Sequence, residues 1–175
     1  SYVPVLANDS DPDGDTLSIS GITQPTHGSA TIQGSSVLYS PDPNYYGSDS
    51  FSYTAGDGQG GSDSATVSIS VSPVNDPPQA TADSASTEEN TQVTIQVLAN
   101  DNDVDGDTLS ISSITQPAHG SATIQGSSVL YAPAQNFHGS DSFSYTVSDG
   151  QGETATAQVS VSVLAENQPP EPQPD

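Results

Sequence analysis

The segment Asn8-Asp9-Ser10-Asp11-Pro12-Asp13-Gly14-Asp15 places four carboxylates on alternating positions, and it returns as Asn100-Asp101-Asn102-Asp103-Val104-Asp105-Gly106-Asp107. Carboxylate oxygens are hard ligands. A hard cation such as calcium takes about six to eight of them from a loop that curls around it, and a Gly before the last acid permits the sharp turn. Without a cation, two carboxylates about 5 Å apart repel by roughly 3 kcal/mol at an effective dielectric of about 20. The 175-residue chain holds 22 acidic residues and no Lys or Arg, a formal net charge of −22. Apart from a protonated His, no side chain can offset that repulsion, so an ion from solution is the natural compensation. The segment opens like an EF-hand loop, but Ser20 and Ser112 stand where the terminal bidentate acid belongs. The expected calcium ligands are Asp9, Asp11, Asp13 and Asp15, and Asp101, Asp103, Asp105 and Asp107. Asp57 and Asp149, each in an Asp-Gly-Gln-Gly turn, are further candidates, as are Asp49 and Asp141. The competing reading is a solvated Asp-rich turn with no fixed ion. A second candidate ion site lies at the junction of the halves, between Asn75-Asp76 and Glu88-Glu89-Asn90, where an ordinary turn and a solvated loop are the alternative.

Other chemistries find less support. His27 and His119 each precede a Gly at the same position of a repeated pattern, and no G-x-S-x-G motif supplies a nucleophile. Tyr46 stands where the second copy has His138. Paired carboxylates of a glycosidase kind are numerous, but they are duplicated and cluster in turns, which suits ion binding. No enzyme activity is expected. Tyr45-Tyr46 and their counterparts Phe137-His138 raise a choice between a sugar-stacking platform and a plug that closes the end of a core. A chain without Lys or Arg cannot neutralise phosphates, which excludes nucleic acid as a partner. The absence of cations also disfavours anionic membrane surfaces, and no apolar run is long enough to insert in a membrane. With no Cys, neither disulfides nor thiolate metal sites are available.

The acids must be held by something, and an internal repeat says what. Val5–Val71 aligns without a gap on Val97–Val163, with 50 identities over 67 positions. The period of about 92 residues fits one whole sandwich domain of ~100 residues rather than a short solenoid unit. The expected division is 1–74, a repeat without its leading strand; 75–165, a complete repeat; and 166–175, a Pro-rich linker that opens a further one. The missing leading strand reads as a slice of a longer array or as a strand supplied by another chain. In the second repeat, short runs alternate with period two. They are Val93–Val97, Leu109–Ser112, Ala122–Ile124, Val129–Tyr131, Phe143–Val147 and Val159–Val163. Each run buries one face, while Ser and Thr cover the other. With a leading strand near Ala80–Ser86, this predicts an all-β sandwich of seven strands. Hairpin turns are expected at His119-Gly120 and Gln125-Gly126, with Gly supplying positive φ.

The string Val-Leu-Ala-Asn-Asp-x-Asp-x-Asp-Gly-Asp-x-Leu-Ser-Ile resembles the bacterial cadherin-like and Ig-like tandem repeats of giant surface proteins. Gln-Pro-x-His-Gly, Gly-Ser-Asp-Ser-Phe-Ser-Tyr-Thr, Asp-Gly-Gln-Gly and the Val74–Pro78 linker carry the same resemblance, which covers the whole chain. It implies tandem cadherin-like β-sandwiches, calcium binding, and secretion to the surface of a Gram-negative bacterium. It also implies a place in an adhesin or biofilm protein, most often as an extender. The partners that follow are calcium ions, neighbouring repeats, and polysaccharide or like chains. Departure from the Asp-x-Asn-Asp-Asn junction of animal cadherins bears on the junction site, not on the loops.

Overall fold

In a computed structural model, residues 1–166 are described, and the chain divides into two compact units, Ser1–Val74 and the part beginning at Asn75. Residues 167–175, which hold most of the expected terminal linker, lie outside the described residues. The described residues contain strands and no helix, and so no helix long and apolar enough to cross a membrane.

The first unit contains β1 (Tyr2–Val3), β2 (Ser18–Ile22), β3 (Gly28–Gln33), β4 (Ser36–Pro41), β5 (Gly47–Gly56) and β6 (Ser62–Val71). They form two sheets, in the orders β1-β4-β3 and β2-β5-β6. Val5, Ala30, Val37, Tyr39, Phe51 and Tyr53 fill the space between them. The second unit contains β7 (Asp83–Glu88), β8 (Val93–Ile95), β9 (Ser110–Ile114), β10 (Gly120–Gln125), β11 (Ser128–Pro133), β12 (Gly139–Ser148) and β13 (Thr154–Leu164). Its sheets run β7-β13-β12-β9 and β10-β11-β8. Ile95, Val129 and Tyr131 from one sheet meet Phe143, Tyr145, Val147, Val159 and Val161 from the other. This is the two-layer sandwich that period-two alternation predicts. Fully burying each such side chain contributes about 1.5–3 kcal/mol.

The outer face is built from hydroxyls. Ser140, Ser142 and Thr146 of β12 stand opposite Ser162, Ser160 and Thr156 of β13, and the two Thr hydroxyls are 3.2 Å apart. Cross-strand Ser and Thr pairs support the sheet without setting like charges opposite one another, in a chain that has no cations to offset its acids.

Two expectations need correction. Gly126 (φ 64°) forms the β10–β11 hairpin turn as expected, but His119-Gly120 is no hairpin. Gly120 opens β10, after a connection that crosses from one sheet to the other. A Cβ there would lie 2.5 Å from the Ala132 carbonyl oxygen and 3.0 Å from the Tyr131 ring, and Gly28 is as tightly placed against Ser40. Close backbone approach, not positive φ, calls for Gly at this position. The leading strand also begins at Asp83 rather than near Ala80. The residues before it are engaged elsewhere: Gln79 bridges to Asn102, and the Thr81 amide donates to Asp101.

Candidate metal centre

Each Asp-rich loop is shaped by the second acid of the Asp-x-Asp-x-Asp-Gly-Asp run. Asp103 Oδ1 accepts the amides of Asp105 (2.8 Å) and Asp107 (3.4 Å), and the Gly106 amide donates to the Asp103 carbonyl. Gly106 adopts φ 80° with open space around it, so its need is conformational. The first unit repeats the turn: Asp11 Oδ1 accepts the amides of Asp13 (2.8 Å) and Asp15 (3.1 Å), and Gly14 has φ 83°.

In the second unit this turn gathers Asp103, Asp105 and Asp107 so that one oxygen from each lies within 4.8 Å of the others. Asp103 Oδ2 is buried and has no hydrogen-bond partner. A desolvated carboxylate oxygen beside two further carboxylates, without a donor, is costly as it stands. A hard cation removes that cost, and the donor set is all oxygen. The three acids therefore fit calcium. In the first unit Asp13 and Asp15 are exposed, and the equivalent three acids do not form such a group. In the second unit the segment that precedes the sandwich also contacts these acids. The Asp76 amide donates to Asp105 Oδ2 at 2.7 Å, and Asn75 Nδ2 donates to Asp149 Oδ2 at 2.6 Å.

The remaining expected ligands have other partners. Asp101 and Asp9 are not members of the group. Asp101 accepts the Thr81 amide (2.7 Å) and sits 3.0 Å from the Tyr145 hydroxyl, while Asp9 sits 2.8 Å from the Tyr53 hydroxyl. Burial, with Asp101 and then Asp83 adding to it, pushes the Tyr145 hydroxyl far up. Asp149 is buried, and the Asn75 amide followed by the amides of Gln151, Gly152 and Glu153 holds it below the usual carboxylate range. The Gln59 amide, followed by those of Gly61 and Gly60, does the same for Asp57. Asp149 is thus joined to the loop through Asn75-Asp76, whereas Asp57 closes its own turn.

Asp141 and Asp49 are not brought to the loops. Asp141 is the third residue of β12 and the loop side follows Ser148, seven residues or roughly 24 Å along the strand. Its carboxylate accepts the amides of Ala118, His119 and Ser142 and the Tyr131 hydroxyl. Asp49 holds the matching set. Burial raises its carboxyl, but the Ser50 amide, the Tyr39 hydroxyl and the His27 and Thr26 amides outweigh burial and hold it low. Burial and then Asp49 push the Tyr39 hydroxyl up to about 12.

Glu88-Glu89 does not join Asn75-Asp76. Glu88 pairs with Leu164 and Glu89 accepts the Glu166 amide, while Asn75-Asp76 packs on the Asp loop. Asp83 escaped the sequence reading altogether. Burial raises its carboxyl, Asp101 adds to the rise, and its Oδ2 is a second buried oxygen without a partner.

The aromatic pairs do not form two-ring platforms. Tyr45 stacks on His27 with centroids 4.3 Å apart, and Phe137 stacks on His119 at 4.4 Å. Tyr45 and Phe137 are half-buried, while the neighbouring Tyr46 and His138, like His27 and His119, are exposed.

The family profile of the bacterial Ig domain matches residues 1–70 and again 75–162. The chain belongs to the bacterial Ig domain family. Each match covers one of the two compact units, so these are tandem bacterial Ig domains. Among solved structures, mouse cadherin-23 EC22–24 is similar over 86% of this chain and 52% of that one, at 23% identity and a TM-score of 0.53. Protocadherin gamma B2 extracellular domains 1–5 align over 96% of this chain and 37% of that one, at 16% identity and a TM-score of 0.54. These likenesses show a shared cadherin-like fold. Protein GAMETE EXPRESSED 2 of Arabidopsis thaliana is 38% identical over 72 residues, which is 41% of this chain. The chain spans 8% of the length of that relative.

Proposed function

We infer that these tandem bacterial Ig domains form a calcium-stiffened extender of a secreted adhesin or biofilm-matrix protein on a Gram-negative cell surface. The observation that carries the reading is the buried, partnerless Oδ2 of Asp103 beside Asp105 and Asp107, in a chain with no Lys or Arg. Calcium, when bound, neutralises the loop acids. Asp103 holds the turn through its other oxygen, Gly106 lets it curl, and Asp105 accepts the amide of the segment that precedes the sandwich. The ion thereby fixes a loop and a leading segment to one end of the fold. The work is mechanical, and the tandem arrangement supports it. Neighbouring repeats of the same protein are the natural partners.

Calorimetric titration of the 175-residue chain with calcium tests this reading. Saturable binding of at least one ion, lost when Asp103 and Asp107 are both changed to Asn, is expected. Absence of binding heat at millimolar calcium sinks it and leaves the loops as solvated turns.

A further inference from the structure

Two glutamines far from the acid loops make the same pair of bonds. Gln116 Nε2 donates to the Ala122 carbonyl at 2.9 Å, and the Ala122 amide donates to Gln116 Oε1 at 3.0 Å. Gln24 and Ala30 repeat the arrangement in the first unit, with both bonds at 2.9 Å. One side-chain amide thus gives a donor and an acceptor to one backbone residue, as a residue of a neighbouring antiparallel strand does.

The residue so engaged lies on a sheet edge. β10 ends the order β10-β11-β8, and β3 ends the order β1-β4-β3. Gln125 and Ser128 close a two-residue hairpin, so Gln125, Thr123 and Ser121 exchange backbone bonds with β11. The amides and carbonyls of Ile124, Ala122 and Gly120 therefore face outward, with Ala122 in the middle. The same register turns Ile32, Ala30 and Gly28 of β3 outward. Sheet proteins commonly blunt such an edge with charge, Lys above all. This chain has no Lys, and neither Thr16–Pro41 nor Thr108–Ser140 contains an acid. His27–Tyr39 and His119–Tyr131 are identical in sequence, so the chain carries the same uncharged edge twice.

We propose that the β3 and β10 edges are self-association surfaces for a second copy of this chain, and that Gln24 and Gln116 are the guards that keep them closed. Two β10 strands brought together antiparallel about Ala122 set Ala122 opposite Ala122. Each then satisfies the outward amide and carbonyl of the other in a two-fold symmetric contact. An uncharged strand is where two chains of net charge −22 meet with least repulsion. Gln116 occupies the backbone groups which that pairing needs. Neighbouring repeats with identical edges hold them at high local concentration, where repeat proteins misassemble, so each repeat needs its own guard. The device is independent of the ion, so it stands or falls apart from the calcium reading.

Sedimentation of the whole chain in EDTA, with the two glutamines changed singly and together, tests the proposal. The parent should stay monomeric up to about 1 mM. Gln24→Ala or Gln116→Ala alone opens one edge and should give dimers by about 100 μM, a gain of at least about tenfold in self-affinity. The chain with both changes has two open edges and should form longer oligomers. In these variants, amide exchange at Ala30 and Ala122 should slow as concentration rises. Gln→Glu at both positions removes the same donor but leaves a charge on each edge, so that chain should remain monomeric. Association of the Glu chain as strong as that of the Ala chain would show that lost stability alone drives it, and overturns the proposal. So does an Ala chain that stays monomeric at about 1 mM. Loss of the β circular dichroism signal in the Ala variants also overturns it, because the glutamines then serve folding and not the edge.

Discussion

Asp141→Ala is expected to lower the stability of the second domain by about 3–5 kcal/mol, the large-effect range for a buried network that loses its centre. The carboxylate is 7% exposed and accepts from three amides and from the Tyr131 hydroxyl, whose own side chain is 0% exposed. Alanine leaves that hydroxyl buried without an acceptor, and strands the Ala118 and His119 amides that fix the crossing between the sheets. For a domain of this size the loss moves the melting transition down by roughly 15–30 °C. The loss should be the same with calcium and with EDTA, because Asp141 lies at the far end of β12 from the loop. Denaturant unfolding read by tyrosine fluorescence measures it, since the chain has seven Tyr and no Trp. A change below about 1 kcal/mol would mean that solvent or a rearranged loop replaces the carboxylate.

Asp107→Asn should change sign with the ion. The Asp107 carboxylate accepts no hydrogen bond among the described residues, yet it belongs to the group of three acids within 4.8 Å. In EDTA, neutralising it removes repulsion, and the second domain gains about 1–2 kcal/mol. In calcium, the same change removes a charged ligand. Affinity then falls at least about tenfold, and the variant melts below the parent. Paired melts of parent and variant in both buffers measure the crossing. Destabilisation of equal size in both buffers would show that Asp107 serves the fold and not an ion. Because Asp141→Ala shows no such crossing, the two variants together separate structural acids from ion-holding ones.

That separation is the part that sequence spacing does not reveal. Alternation located the strands because burial on one face leaves a period of two in the chain, as in Phe143-Ser144-Tyr145-Thr146-Val147. The Asp-x-Asp-x-Asp-Gly-Asp run announced a turn of acids because the interactions that shape it span two to four residues. Within the run, Asp101 looks like Asp103. Its distinction comes from Tyr145, 44 residues away, and from Thr81 on a segment that only the folded sheet brings near. Asp83 was missed for the same reason, and Asn75 was named for a junction site and not for its bond to Asp149, since these partners are distant in the chain and carry no local signature. His119-Gly120 misled in the other direction: a Gly after a polar residue is a turn signal, but here it answers the approach of Ala132 and Tyr131 from the neighbouring strand.

The central claim is that the acid loops are structural ion sites, and the most direct measurement is a thermal melt of the whole chain in calcium and in EDTA. At calcium about a hundredfold above its dissociation constant, binding to the folded state adds about 2.7 kcal/mol. For a domain of this size that raises the transition by roughly 10–20 °C, with the second domain moving most. Superimposable melts in the two buffers would contradict the claim.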